Sequence, residues 1–177
     1  KLLAVLLMFT FFNASDMFLI LWVKQHQGLS FAISCYIIYN VVYALGSYPM
    51  GVLADKKGSK VVIVLGFVVF SVTYLLLPVY NDRTWMLALW AFYGLYSACV
   101  EGNSKAWISN ITLREQTGTA LGLYGSAVSV LQIISGLFAG LIWDSLGGAG
   151  LFQICAIGVA FCAGMAMFVP SKLQQAI

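Results

Sequence analysis

The sequence has very few charged residues. Charged side chains make up only 8% of the 177 residues, whereas hydrophobic side chains make up 62%. A water-soluble domain carries about 25% charged residues, which cover the surface that faces water. This deficit excludes a soluble globular domain. The mean hydropathy of +0.94 indicates a chain that lies in the lipid bilayer.

Motifs of soluble enzymes and of metal sites are also missing. The sequence contains no Gly-x-x-x-x-Gly-Lys-Ser/Thr phosphate loop and no Gly-x-Ser-x-Gly nucleophile elbow. We therefore do not expect an enzyme. A single histidine and cysteines without a Cys-x-x-Cys pair predict no metal site and no cofactor. No basic patch alternates with aromatic residues, so nucleic acid is not an expected partner. The residues concerned are His26, Cys35, Cys99, Cys155 and Cys162.

The apolar residues that dominate the chain fall into six blocks. Each block has about 20 residues, the length that a helix needs to cross roughly 30 Å of hydrocarbon. Short polar segments separate them, as expected for turns between antiparallel helices. The sequence therefore predicts an all-α, polytopic membrane protein with one domain of six transmembrane helices. The predicted spans are residues 2–23, 30–53, 61–80, 85–107, 119–143 and 151–169.

Basic residues are distributed unevenly between the two ends of the predicted spans. Lysine and arginine favour the cytoplasmic side of short loops. Seven basic residues share one side, namely Lys1, Lys56, Lys57, Lys60, Lys105, Arg114 and Lys172. Only Lys24 and Arg83 lie on the other side. We therefore expect both ends of the chain in the cytoplasm, and the protein in the inner or plasma membrane of the cell.

The loop between the second and third predicted spans has a distinctive sequence. It reads Gly51-Val-Leu-Ala-Asp-Lys-Lys-Gly-Ser-Lys60. This segment resembles the signature Gly-x-Leu-Ala-Asp-Arg-x-Gly-Arg-Lys, which joins the second and third helices of each six-helix half in the major facilitator superfamily. The resemblance implies a latch that holds the cytoplasmic side closed, with Asp55 docked on the start of the fifth span near residues 117–119. The implied latch residues are Gly51, Asp55, Lys56, Gly58 and Lys60.

Two further stretches resemble the second half of bacterial permeases of this superfamily. They are residues 13–21, which read Asn-Ala-Ser-Asp-Met-Phe-Leu-Ile-Leu, and residues 101–122. The second stretch has Asn110, Leu113 and Thr117 where relatives commonly have an acidic residue, a proline and an arginine. The resemblance implies the C-terminal half of a secondary transporter that moves a small solute by alternating access. The N-terminal six-helix half would then be its partner. The first residue is lysine and not methionine, which fits the later part of a longer protein.

Three ionisable residues fall inside the predicted spans, where a charge is costly without a partner or a watery cavity. Asp16, about 21 Å from the start of its span, lies near Asn13 and could bind a cation or a polar group of the substrate. It could also take up the coupling proton, or serve only as a structural carboxylate between helices. Glu101 and Lys105 are spaced i and i+4, which favours an ion pair on one helix face over a direct role in transport.

Polar and aromatic residues recur at helical spacing inside the second predicted span. They are Tyr36, Tyr39, Asn40 and Tyr43, and they lie on one broad face. This face could line a substrate cavity, although tyrosine stripes also serve in helix packing. Gln132, midway through the fifth span, is a similar candidate.

Two other functional hypotheses fit the same sequence. A half-length protein could form a homodimer and transport a solute as two identical halves. Alternatively, the chain could be a non-transporting membrane scaffold or accessory domain fused to another activity. Small residues in the fifth span allow close helix packing, either within the chain or against another half. These residues are Gly118, Gly122, Ser126, Gly136 and Gly140.

Overall fold

The protein is described by a computed structural model that covers residues 2–79 and 82–168. These residues form helices and no strands, so the all-α prediction is confirmed. The helices are α1 (Leu2–Phe12), α2 (Asp16–Gln27), α3 (Leu29–Lys57), α4 (Ser59–Leu76), α5 (Arg83–Ile111) and α6 (Thr117–Met167). A short 3-10 turn, Arg114–Gln116, precedes α6.

Helices cover most of each predicted span, and their number is roughly consistent with the predicted six. The first span consists of α1 and α2 together. The fifth and sixth spans are both contained in α6, which Gly147 interrupts with a non-helical backbone (φ 72°, ψ 175°). Four described segments are long and apolar enough to cross a membrane: Leu3–Gln27, Leu29–Lys57, Ser59–Leu76 and Arg114–Met167. Helix α5 is not among these four segments. It has 29 residues, but its tyrosine, tryptophan and charged residues make it less apolar than they are.

The turns between helices are shorter than the polar segments of the sequence. The polar segments that separate the predicted spans near residues 24–28, 55–60 and 145–150 are each reduced to one glycine with positive φ: Gly28 (90°), Gly58 (92°) and Gly147 (72°). Glycine adopts this backbone conformation without the steric cost that a Cβ atom imposes. The helices consequently extend into the polar residues on either side. Lys1, the predicted helix ends at Tyr80 and Val169, and Lys172 lie outside the described residues.

Helix α5 lies at the centre of the bundle and packs against both α3 and α4, while α6 packs against α1 and α4. Glycine permits the closest approach. A Cβ atom on Gly94 would lie 2.6 Å from the carbonyl oxygen of Tyr39, and one on Gly66 would lie 2.5 Å from Cγ2 of Val100. The α3–α5 contact brings the rings of Tyr39 and Tyr93 within 5.2 Å of each other, centroid to centroid. These two rings belong to the candidate site.

Candidate functional site

The first membrane span is broken at residues 13–15, between α1 and α2. Ser15 is the N-cap of α2, and its hydroxyl accepts a hydrogen bond from the backbone N–H of Met17 (3.4 Å). Asp16 follows in the first turn, where the positive end of the helix dipole stabilises a carboxylate. Both residues are typical of helix starts. The single helix predicted over 2–23 is therefore two helices in the structure.

The end of α1 at this break is held by another helix. The last carbonyl groups of a helix lack partners within the helix, and in a membrane each unpaired group is costly. Ser135 of α6 donates its hydroxyl hydrogen to the carbonyl oxygen of Phe11 at 2.7 Å. This hydrogen bond ties the end of α1 to α6 at the break.

Two tyrosines of α5 bind the polar side chains of the break. The hydroxyl of Tyr93 donates a hydrogen bond to Oδ1 of Asp16 at 2.6 Å. The amide nitrogen of Asn13 donates to the hydroxyl of Tyr96 at 3.0 Å. The bond from Tyr93 to Asp16 has a carboxylate as its acceptor, and such charge-assisted hydrogen bonds are among the stronger side-chain interactions. It holds Asp16 in a fixed orientation beside α5.

A polar cavity of about 620 Å³ opens beside the break. Residues 13–17, α3, α5 and the first part of α6 provide its walls. Six residues named from the sequence line it: Asn13, Asp16, Tyr36, Tyr39, Glu101 and Gln132. The cavity volume lies in the range of roughly 300–1,000 Å³ that is usual for small-molecule sites. The arrangement can therefore hold a small solute next to a carboxylate.

Hydrogen bonds along one face of α5 organise this cavity. Tyr93, Ser97 and Glu101 are four residues apart and therefore lie above one another on the helix. Each meets one side chain from a neighbouring helix. The three pairs are Tyr93 with Asp16 (2.6 Å), Ser97 with Tyr39 (3.1 Å) and Glu101 with Tyr43 (2.8 Å). One face of α5 thus makes three separate side-chain hydrogen bonds to neighbouring elements, and two of them involve a carboxylate.

Two candidates from α3 have other positions. The amide nitrogen of Asn40 donates to the backbone carbonyl of Tyr36 at 2.7 Å, one turn earlier, and Asn40 does not line the cavity. Tyr43 also lies outside the cavity wall, but its hydroxyl donates to Oε2 of Glu101. Tyr43 therefore contacts the site through that carboxylate.

Glu101 has a different partner from the predicted one. Its carboxylate accepts the hydrogen bond of Tyr43, and within residues 2–79 and 82–168 no salt bridge joins it to Lys105. Both side chains are exposed on the surface of the isolated bundle. The neighbouring tyrosine of α3 satisfies one carboxylate oxygen, and Glu101 lines the polar cavity.

The turn between α3 and α4 carries the residues named for the latch. Gly58 has the positive φ that this tight turn requires. The ammonium group of Lys60 donates to the backbone carbonyl of Met167 at 2.7 Å, so it contacts the C-terminal end of α6. A cation is favourable at that negative end of the helix dipole. The start of α4 and the end of α6 therefore lie on the same side of the bundle.

Asp55 is not docked on α6 in this structure. Its side chain is exposed and makes no hydrogen bond within the described part of the chain. Asp55 was expected to dock near Thr117. The hydroxyl of Thr117 instead donates a hydrogen bond to the backbone carbonyl of Leu113 at 3.1 Å. A Cβ atom on Gly51 would meet no atom within 4 Å, so no helix packs closely there. The latch contact implied by the resemblance is thus not formed in this conformation.

Three cavity residues on α5 were not identified from the sequence, namely Tyr93, Tyr96 and Ser97. A signal for them existed. They share a helix face with Glu101, at positions i, i+3, i+4 and i+8. The wall contributed by α5 could have been predicted by treating this face as one unit.

The helices and the cavity define an integral membrane protein with a polar cavity that opens at the surface of the bundle beside a broken helix. Discontinuous spans and sites inside the bundle are common among secondary transporters. Residues 2–175 match the sequence profile described as the Major Facilitator Superfamily. The chain belongs to this superfamily.

Curated relatives agree with this assignment. The chain is 34% identical over 142 residues to an uncharacterized MFS-type transporter of Methanocaldococcus jannaschii, which covers 76% of the chain and 36% of the relative. It is 27% identical over 149 residues to multidrug resistance protein MdtG of Yersinia enterocolitica, and this match covers 84% of the chain and 36% of the relative. For multidrug resistance protein MdtG of Erwinia billingiae the identity is 30% over 135 residues, and this match covers 75% of the chain and 33% of the relative. The chain spans about a third of the length of these relatives.

Proposed function

We propose that the chain is one half of a secondary active transporter that moves a small solute across the membrane by alternating access. The polar cavity at the broken first span carries this proposal, because it places a carboxylate among polar groups inside a membrane bundle. The names of the relatives, which include transporters and multidrug resistance proteins, support it. In this mechanism two six-helix halves move against each other about a site near the middle of the membrane.

Asp16 is the coupling residue in this proposal. It lies at the start of α2, lines the polar cavity and is bound by Tyr93. A carboxylate in such a site can hold either a proton or a positively charged group of the substrate, but not both at full strength. Exchange between the two would link solute movement to a proton gradient.

The loop at residues 51–60 is the latch that closes the cytoplasmic side in one state of the cycle. Its unengaged Asp55 corresponds to the state in which that side is open. The basic residues at this end of the bundle, Lys56, Lys57 and Lys60, support a cytoplasmic position in the inner or plasma membrane.

A second six-helix half completes the transporter, with this chain as the C-terminal half. The first part of α6 supports this arrangement, because added Cβ atoms on Gly118, Gly122, Gly136 and Gly140 would meet no atom within 4 Å. The small residues of α6 therefore do not serve packing within the chain at these points. They are available for close contact with another half.

Cysteine accessibility tests alternating access without knowledge of the substrate. Ser129 of α6 lines the polar cavity, whereas Ile157 is exposed outside it. The full-length natural protein, with its own cysteines replaced, would carry Ser129→Cys or, as the control, Ile157→Cys. A membrane-impermeant maleimide is added to right-side-out or inside-out vesicles. We expect the cysteine at position 129 to be labelled from both sides, and the one at position 157 from neither.

Labelling at position 129 from one side only, with and without an imposed pH gradient, would contradict alternating access. That result would favour the scaffold hypothesis, in which the fold is kept without a transport cycle.

A further inference from the structure

The charges in the polar cavity are all of one sign. Asp16 and Glu101 line it, and no lysine, arginine or histidine does so among the described residues. Arginine and lysine are the side chains that bind carboxylate and phosphate groups. A solute with a negative charge would therefore meet two acidic groups and no basic partner on this wall.

Several hydrogen-bond acceptors of the cavity wall are only partly satisfied by the described residues. Tyr93 occupies Oδ1 of Asp16, and Tyr43 occupies Oε2 of Glu101. The second oxygen of each carboxylate has no partner within residues 2–79 and 82–168. The side-chain oxygen of Asn13 is buried and also lacks a donor. A bound molecule that supplies positive charge or N–H groups would satisfy these oxygens.

The remaining wall is rich in aromatic faces. Tyr36, Tyr39, Tyr93 and Tyr96 all line the cavity, and the rings of Tyr36 and Tyr39 are stacked at 5.7 Å. Tyr36 remains 41% exposed, so part of its ring is available for contact. Cations within about 6 Å of an aromatic centroid are attracted to the ring face. Such a wall suits a cation that carries apolar or aromatic groups.

The helix N-terminus at the cavity is already occupied by an acidic side chain of the chain itself. A half-helix N-terminus in a transporter often faces a negatively charged substrate group. At the start of α2 the chain supplies its own anion, because Asp16 lies in the first turn and Ser15 caps the helix. The dipole of α2 therefore stabilises Asp16 and is not left for a ligand.

An inorganic cation is a poor fit for the same site. Calcium requires about six to eight oxygen ligands, and magnesium a regular octahedron. The described residues contain no group of three or more histidine, cysteine, aspartate or glutamate side chains that could hold a metal ion. Two carboxylates on different helices, separated by tyrosines, suit a larger organic ion.

From these observations we infer that the polar cavity selects organic cations with aromatic or apolar substituents, such as quaternary ammonium or phosphonium ions. Asp16 and Glu101 provide the charge complement and the tyrosines provide the faces. The inference rests on the proposed transport function and names the substrate class of its site.

Two probes of the same shape and opposite charge test this inference. Tetraphenylphosphonium and tetraphenylborate differ in the sign of the charge at the central atom. We would measure binding of each labelled ion to the full-length protein in liposomes, with protein-free liposomes subtracted. We expect saturable binding of the phosphonium ion and at least tenfold weaker binding of the borate ion. This comparison uses the unaltered protein and does not depend on the folding of a variant.

Matched variants then locate the site. Asp16→Asn and Glu101→Gln should each weaken phosphonium binding at least tenfold. The controls Asp144→Asn and Glu115→Gln remove exposed carboxylates outside the cavity and should leave binding unchanged. Equal or tighter binding of the borate ion would overturn the inference, and so would equal loss of binding in the control variants. Labelling of the cysteine at position 129 from both sides together with preferred borate binding would leave transport standing and reject only the substrate class.

Discussion

At the scale of single residues, Asp16 combines features that rarely occur together. It is an acidic residue within a membrane span, it lies in the first turn of a half-helix, and a tyrosine hydroxyl holds it at 2.6 Å. The helix start and the tyrosine hydroxyl stabilise a carboxylate that hydrocarbon would otherwise penalise. The chain therefore holds a stabilised carboxylate at the cavity wall.

Replacing this carboxylate by its neutral isostere should uncouple transport. In the Asp16→Asn variant of the full-length protein, we expect accumulation of the solute driven by a pH gradient to fall at least tenfold. The amide neither takes up a proton at working pH nor balances a positive charge. Accumulation would be measured in vesicles, with expression followed by immunoblot, and Asp144→Asn would serve as the exposed control. Undiminished coupling in the Asp16→Asn variant would remove this residue from the mechanism.

Sequence patterns predicted residues of a single helix that line the site, but they did not predict the contacts between helices. The spacing of Tyr36 and Tyr39 predicted a polar face on α3, and Gln132 was found by its position in an apolar span. Periodicity describes a single helix and does not show which helix faces it. The partner of Glu101 was therefore assigned within its own helix, whereas the structure pairs it with Tyr43 of α3.

At the scale of elements, the spans could be predicted because length and apolar composition are strong constraints in a membrane. The break at residues 13–15 was not predicted, because hydropathy averaged over about 19 residues hides a short polar interruption. The local signal was Ser15 followed by Asp16, a usual helix start. The short turns at Gly28, Gly58 and Gly147 also depend on backbone angles that hydropathy does not report.

The close crossing of α3 and α5 makes a prediction about stability. A Cβ atom on Gly94 would lie 2.6 Å from the backbone oxygen of Tyr39, which cannot move without shifting α3. Gly94→Ala should therefore destabilise the protein by about 1–3 kcal/mol, as overpacking usually does. The Tm in detergent should fall by several degrees, and ligand binding should weaken because Tyr39 lines the polar cavity.

Gly102→Ala is the matched control for this substitution. It lies on the same helix, and its added Cβ atom would meet nothing within 4 Å. Alanine is also the better helix former, so this variant should keep or raise the Tm. Equal Tm values for the two variants would show that the α3–α5 crossing is looser than the structure describes.

At the scale of the whole molecule, one side of the bundle remains open. The first part of α6 exposes large apolar residues, including Val130, Ile133 and Leu137, beside glycines at which an added Cβ atom would meet no atom of the described residues within 4 Å. Lipid chains can cover apolar side chains, but small residues in a row favour contact between helix backbones. The open side therefore suits a second helical half better than lipid alone.

The mass of the natural gene product tests this arrangement directly. If a second half lies in the same chain, the denatured protein should have a mass of about twice the 19.3 kDa of these 177 residues. The 142 aligned residues are 36% of the Methanocaldococcus jannaschii relative, so that relative is more than twice as long as this chain of 177 residues, which favours that outcome. Intact-mass spectrometry would be applied to protein captured from its own membrane with an antibody against residues 169–177. A mass near 19 kDa would instead require two identical chains to enclose the cavity, and crosslinking through the α6 face would then have to produce a homodimer.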